Sequence, residues 1–260
     1  SAASDVYKRQ SQQYTKEMEE YNCAYQHWLK STEEVKQKDP QASWKEIHKI
    51  CGECPWPQPV GWQSPFRPNG LHETMIRRIA PYSLRGFLYY QGEEDVQRYA
   101  DYSDMMLMLV KQWRMDWNDW NLPFLFVQLP MYLADGEKDD SYWALQREQQ
   151  YIASMMIQNT GMISLADCGE YDNIHPLDKK TPGERLFQLA KNLVYDKQGT
   201  ITATAAQLFS DNGKLYVTFD HLHEKLVMQT ANGCPFEISG EDNLFHPCLL
   251  YTSPSPRDRT

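Results

Sequence analysis

Leu84-Arg-Gly-Phe-Leu-Tyr-Tyr-Gln-Gly-Glu-Glu-Asp95 is the stretch whose reading decides the fold. Five of its first seven residues are apolar or aromatic, which predicts a strand over 84–90. The strand stops at the polar turn Gln91-Gly92-Glu93-Glu94-Asp95, and a helical pattern follows over 95–118. In open α/β sheets, ligands sit just beyond the carboxyl ends of strands, so polar groups at this turn are candidates for function. Asp95 also reads as an N-cap for the helix that follows.

Two further segments extend the pattern. Leu122-Pro-Phe-Leu-Phe-Val-Gln-Leu129 is nearly continuous in its apolar character, as in a parallel strand covered on both faces. Gly161-Met-Ile-Ser-Leu-Ala-Asp167 is a third short strand. Helices are predicted over 142–158, with Ser141 as N-cap, and over 181–195. This alternation implies a parallel sheet with right-handed crossovers. The third strand leads into Cys168-Gly-Glu-Tyr-Asp172-Asn-Ile-His175-Pro176. An Asp near a His can fix its tautomer and stabilise the imidazolium, making the His a usable general base. The bland reading is a surface loop with a chance Asp-x-x-His.

The order of these motifs resembles the sialate O-acetylesterase family of SGNH (GDSL-like) hydrolases. The resemblance rests on Tyr90-Gln91-Gly92-Glu93, then Leu122 to Leu129, then Asp172-x-x-His175-Pro176. It is extended by Tyr99 to Trp113-Arg114, by Trp143-Ala-Leu-Gln-Arg-Glu-Gln-Gln150, and by Asn69-Gly70-Leu71 leading to Met75-Ile76. It runs from about Trp56 to about Phe219. It implies an α/β fold, the flavodoxin-like three-layer parallel sheet of SGNH hydrolases, followed by a β-rich module. The implied activity is that of a serine carbohydrate esterase removing O-acetyl groups from sialic acid or other acetylated glycans. His175 would be the base and Asp172 its orienting partner, while Gln91, Gly92, Glu93 and Asp95 would shape the substrate face. No cofactor or metal is implied, and the partner is an acetylated carbohydrate. Two alternatives stand beside this reading: a non-catalytic carbohydrate-binding relative and an acetylxylan-type esterase.

The family's nucleophile is a Ser in a Gly-Gln-Ser-Asn-Met-like block, which this sequence does not contain. The nearest dipeptide, Gln63-Ser64, runs into Pro65-Phe66 with no strand before it, so it is not assigned as the nucleophile. The Gly-rich second block is also absent. The chain is therefore expected to be an N-terminally truncated fragment carrying the base half of the site, inactive alone, with an exposed apolar strand edge and poor solubility. The family often has Asn where Asp95 stands. Ionised Asp has no hydrogen to donate to an oxyanion, so a backbone N–H or a neighbour would do that work.

Both ends read differently from the middle. On back-translation, 1–10 and 248–260 look like in-frame sequencing-library adapters, as from an environmental (metagenomic) DNA fragment. The expected organisation is then a partial catalytic domain over 11–197 and a partial β-rich module over 198–247. By family resemblance the protein is expected to be secreted or periplasmic.

Composition narrows the class. The 260 residues carry a formal net charge of −9, which argues against a general nucleic-acid binder. There is no apolar run of membrane-spanning length. Cys51-Gly-Glu-Cys54 is a single C-x-x-C, a small disulfide or a pair of free thiols. A zinc site would want a second pair or suitably spaced histidines.

Residues 11–38 predict an amphipathic helix with Tyr21, Ala24, Trp28 and Leu29 on one face, ended by Asp39-Pro40. A short helix follows over 44–50, with Ser43 as N-cap. Residues 51–69 form an irregular connection in which Trp56 and Trp62 line a sugar cleft or cover a core edge. A short helix over 71–80 holds His72, read as structural. After Lys197, strands over 201–209, 215–219 and 236–238 are predicted, with turns at Asp211-Asn-Gly213 and Ala231-Asn-Gly233.

Overall fold

The computed structural model describes residues 2–61, 64, 66–133, 142–199, 201, 203–220, 236–240 and 245–247. At its centre is β2 (Phe124–Gln128), which pairs in parallel with β1 (Phe87–Tyr89) on one side and β3 (Thr160–Ser164) on the other. The strand order is β1-β2-β3.

The apolar run of β2 serves both faces of the sheet. Phe124 and Phe126 pack with Tyr102, Met106 and Val110 of α4 (Tyr102–Asp116), and with Ala153 of α5 (Tyr142–Met156) and the adjoining Ile157. Leu125 and Val127 pack on the other face with Ile163, Leu165, and Leu186 and Leu189 of α6 (Lys180–Leu193). Helices on both sides of a parallel sheet make the three layers that the sequence predicts.

Several elements differ from their sequence reading; the third strand, for one, is Thr160–Ser164 and stops short of Asp167. Strand β1 begins at Phe87 rather than Leu84. Gly86 has φ +156°, and a Cβ there would lie 2.7 Å from the Pro123 carbonyl oxygen, so the chain turns sharply into the sheet at this point. The helix predicted over 95–118 is two pieces. A 3₁₀ segment, Glu93–Asp101, breaks at Arg98 (φ −126°, ψ 28°) before α4 begins. Asp95 therefore lies inside the 3₁₀ segment and does not cap a helix. Residues 72–76 form a π-helical turn that continues into α3 (Arg77–Ile79). His72 Nε2 lies 2.7 Å from Asp116 Oδ2 at the end of α4, the structural role expected of it.

Before the sheet, α1 (Ala2–Lys38) begins earlier than the sequence reading and packs on α2 (Trp44–Cys51). Ser43 and Glu46 form a reciprocal capping box at the start of α2. Trp28 donates its indole N–H to the Gly52 carbonyl at 2.9 Å. The rings of Tyr21, Tyr25, Trp28 and Trp44 stack in succession, 5.8 to 6.4 Å apart, so the aromatic stripe is packing between helices. Trp56 is exposed and meets Phe66 edge-on; Trp62 lies outside the described residues. Cys51 and Cys54 are free thiols.

After α6, β4 (Thr204–Asp211) and β5 (Lys214–Asp220) form an antiparallel hairpin. Its turn residues Asn212 (φ 49°) and Gly213 (φ 72°) take the positive angles that Asp-Asn-Gly predicts. A second pair joins β6 (Glu237–Ser239) to β7 (Phe245–Pro247). Ala231-Asn-Gly233 lies outside the described residues. Among the described residues, no helix is long and apolar enough to cross a membrane.

Arg114 ties the layers together. It is 6% exposed, and it donates to the carbonyls of Leu122 (3.0 Å), Gln158 (2.7 Å) and Asn159 (3.3 Å), just ahead of β2 and β3. Arg114→Met keeps the volume but removes the donors to these carbonyls, of which that of Leu122 belongs to a buried residue, and should destabilise by about 1–3 kcal/mol in urea unfolding. A loss below about 0.5 kcal/mol would show that these bonds do not hold the strand starts.

Strand β1 pairs only with β2 among the described residues, and Leu88 is 65% exposed where α6 does not reach. Leu88→Lys should reduce self-association in light scattering while shifting stability by no more than about 0.5 kcal/mol. Unchanged scattering would mean that another surface drives association.

Candidate functional site

The parallel sheet brings the turn after β1 and the loop after β3 to one edge, with the end of β2 between them. Lys179, four residues past His175, lies 5.5 Å from the ring of Tyr90, next to Gln91. Leu133 donates its backbone N–H to the Tyr171 carbonyl at 2.8 Å, joining the segment after β2 to the His175 loop.

In the first turn, Tyr89 donates its hydroxyl to Gln91 Oε1 at 3.0 Å, and Gln91 Nε2 donates to Asp95 Oδ2 at 2.7 Å. Asp95 Oδ1 also accepts from Arg98 at 3.3 Å. Burial pushes the Tyr89 phenol up to about 12, helped by the charges of Asp95 and Glu93. Burial, then Glu93, does the same for Tyr90, also to about 12. Gly92 is buried with φ +150°. A Cβ there would meet the side-chain nitrogens of Gln150 and Gln146 at 3.0 and 3.1 Å. Glu93 is half-buried. A cavity of about 170 Å³ opens beside Gln91 and Asp95, walled by Tyr89, Tyr102, Met105 and Leu109.

In the second loop, Asp172 and His175 are both exposed. Among the described residues their side chains are not hydrogen-bonded to each other. The backbone around them is held by other groups. His175 donates its N–H to Asn173 Oδ1 at 3.0 Å, and Glu170 accepts from Asn173 and Leu177. Asp178 accepts from the N–H groups of Lys180 (2.9 Å) and Thr181 (3.0 Å) at the start of α6. Arg185 makes a two-pronged contact with Asp167 at 2.7 and 2.6 Å and donates to the Ser164 carbonyl at 2.6 Å.

Ser64 is fully buried and its hydroxyl oxygen accepts the Phe66 N–H at 3.1 Å, so it is not presented to a substrate. Gln63 lies outside the described residues, as does Ser141. Sequence reasoning placed Gln150 only within a matching block. Its side chain is fully buried, donating to the carbonyls of Gln91 and Val127 and accepting from Leu129 N–H. The four-residue spacing of Gln146 and Gln150 on α5 was the available signal. No spacing rule marks Glu170 or Arg185. Among the described residues, no group of three or more His, Cys, Asp or Glu could hold a metal ion.

Comparisons with known proteins give the family. The family described as "Carbohydrate esterase, sialic acid-specific acetylesterase" matches residues 59–192, which contain the whole sheet and both loops. The chain belongs to this family. It is 28% identical to the mouse (Mus musculus) sialate O-acetylesterase over 196 residues, covering 67% of this chain and 36% of that protein. It is 26% identical to the human (Homo sapiens) sialate O-acetylesterase over 208 residues, covering 72% and 39%. The crystal structure of a carbohydrate acetylesterase from Xanthomonas citri superposes with a TM-score of 0.59 at 30% identity, covering 68% of this chain and 42% of that one. The chain thus spans well under half the length of these relatives.

The Asp167–Arg185 contact predicts a pH dependence. The Arg185 guanidinium holds the Asp167 carboxyl below the usual carboxylate range. A depressed carboxylate stabilises the fold above its unfolded value, about 3.9, and that contribution is lost as pH falls through the folded value. The stability gap between wild type and Asp167→Asn should be constant from about pH 5 to 7 and close below about pH 4. A gap of constant size down to pH 2 would rule out this ion pair as its source.

Proposed function

We propose that this chain carries the base-bearing part of a serine carbohydrate esterase that removes O-acetyl groups from sialic acid or other acetylated glycans. The observation that carries the reading is the placement of the Asp172–His175 loop and the Gln91–Asp95 turn at one carboxyl edge of the sheet, within a chain of this family. His175 takes the proton from a serine hydroxyl as the oxygen attacks the acetyl carbonyl. It then returns the proton to the departing sugar oxygen. Asp172 orients the imidazole and stabilises its cation. A pair not yet hydrogen-bonded is compatible with this role, because catalytic hydrogen bonds often tighten only in the complex that reacts. Gln91, Gly92, Glu93 and Asp95 line the substrate side.

In this reading Ser64 is not the nucleophile, since it is buried, and no Gly-Gln-Ser-Asn-Met-like block stands in this sequence to supply another. The chain alone should therefore release little acetate. In the intact polypeptide, His175→Ala should lower kcat for acetate release from O-acetylated sialic acid or acetylated xylan by about 100- to 10,000-fold. KM should change little. Full activity in this variant would overturn the reading. The sugar-binding alternative draws on Asp172 and His175, whose side chains are not hydrogen-bonded to each other among the described residues. It would take over if the intact wild-type protein bound the acetylated glycan in calorimetry without releasing acetate.

A further inference from the structure

We propose that Glu170 and Asn173 form a clamp that positions His175, acting through its backbone. The inference rests on the reading of His175 as the base. Glu170 Oε1 accepts the Leu177 backbone N–H at 2.7 Å. Its Oε2 accepts the Asn173 side-chain N–H at 2.6 Å. Asn173 passes the contact on, because its Oδ1 accepts the His175 backbone N–H at 3.0 Å. The Asn173 backbone N–H closes the turn onto the Glu170 carbonyl at 3.1 Å. One carboxylate thus holds the chain on both sides of His175-Pro176.

The chemistry explains why an acid stands here. The clamp needs two acceptors facing two donors, and an ionised carboxylate offers an acceptor on each oxygen with no competing hydrogen. The Leu177 N–H, the Asn173 amide and the nearby Lys179 charge all hold the Glu170 carboxyl below the usual carboxylate range. Buried Pro176 brings no N–H of its own to satisfy. The His175 ring has no hydrogen bond among the described residues, so its direction depends on the backbone that the clamp fixes. Glu170 does not reach the substrate in this scheme. It is a positioning residue.

The test compares wild type, Glu170→Ala, Glu170→Gln and Asn173→Leu by amide hydrogen exchange and by the NMR signal of the His175 ring. Glu170→Ala should speed exchange at Leu177 and His175 by about 10-fold or more, the loss expected for a charge-assisted bond. Exchange at Phe126 in the core should stay unchanged. The His175 ring signal should broaden or split. Glu170→Gln keeps one acceptor oxygen and should restore part of the protection. Asn173→Leu should speed exchange at His175 while sparing Leu177, and it serves as the second probe if Glu170→Ala unfolds. Wild-type exchange and a wild-type ring signal in Glu170→Ala, or no effect at His175 in Asn173→Leu, would overturn the clamp. Activity is read separately. If exchange responds as expected but His175→Ala leaves acetate release by the intact protein unchanged, the clamp stands and the reading of His175 as the base falls.

Discussion

The end of the sheet depends on one buried amide. The pairing of β1 with β2 ends at Tyr89 and Phe126, which leaves main-chain groups of Gln91, Val127 and Leu129 to be met by side chains. Gln150 fills that gap from α5, donating at 3.3 Å to two carbonyls and accepting at 2.9 Å from one N–H. An amide alone among neutral side chains offers two donor hydrogens together with an acceptor oxygen. Glu would lack the donor, Leu would lack everything, and each stranded buried group costs about 1–3 kcal/mol. The Tyr102 hydroxyl adds a second donor to the Gln91 carbonyl at 3.1 Å.

Gly92 follows from that constraint. Its Cα passes so close to the Gln150 and Gln146 side-chain nitrogens that any Cβ would crowd them, and its φ lies where side chains are rarely tolerated. The turn is therefore shaped from below by helix α5. Residues assigned to substrate in the first turn are positioned by residues remote in sequence, and the same holds for the second loop through Leu133 and Tyr171.

This explains what was legible. The β2 run, the alternation of strands and helices, and the Asp-Asn-Gly hairpin are local signals, since each follows from the burial or backbone angles of neighbouring residues. The Asp172–His175 loop was singled out in another way, by its place in a family's order of motifs. The split of the helix at Arg98, the His72–Asp116 contact and the anchoring of Arg114 were not legible. They join residues tens of positions apart or turn on one backbone angle, and neither leaves a period in the sequence. Glu170 was hidden differently. It stands in plain view beside Asp172, but an acid that holds backbone and an acid that faces solvent look alike until the loop is folded.

The two clusters of acids and phenols divide their work by protonation. Tyr89 and Tyr90 are held neutral by burial, with titration near 12, so at ordinary pH each keeps a hydroxyl hydrogen to donate. That fixes the Gln91 amide. Its oxygen takes the Tyr89 hydroxyl, so its nitrogen faces Asp95. Asp95 accepts from Gln91 and from Arg98, which makes it an orienting acceptor rather than a donor to a developing oxyanion. The hydrogens this turn can offer to negative charge are then amide hydrogens: the second one on Gln91 Nε2 and those of the backbone. An Asp at this position can therefore serve an acyl-transfer site by aiming its neighbour, even though it has no proton of its own to give.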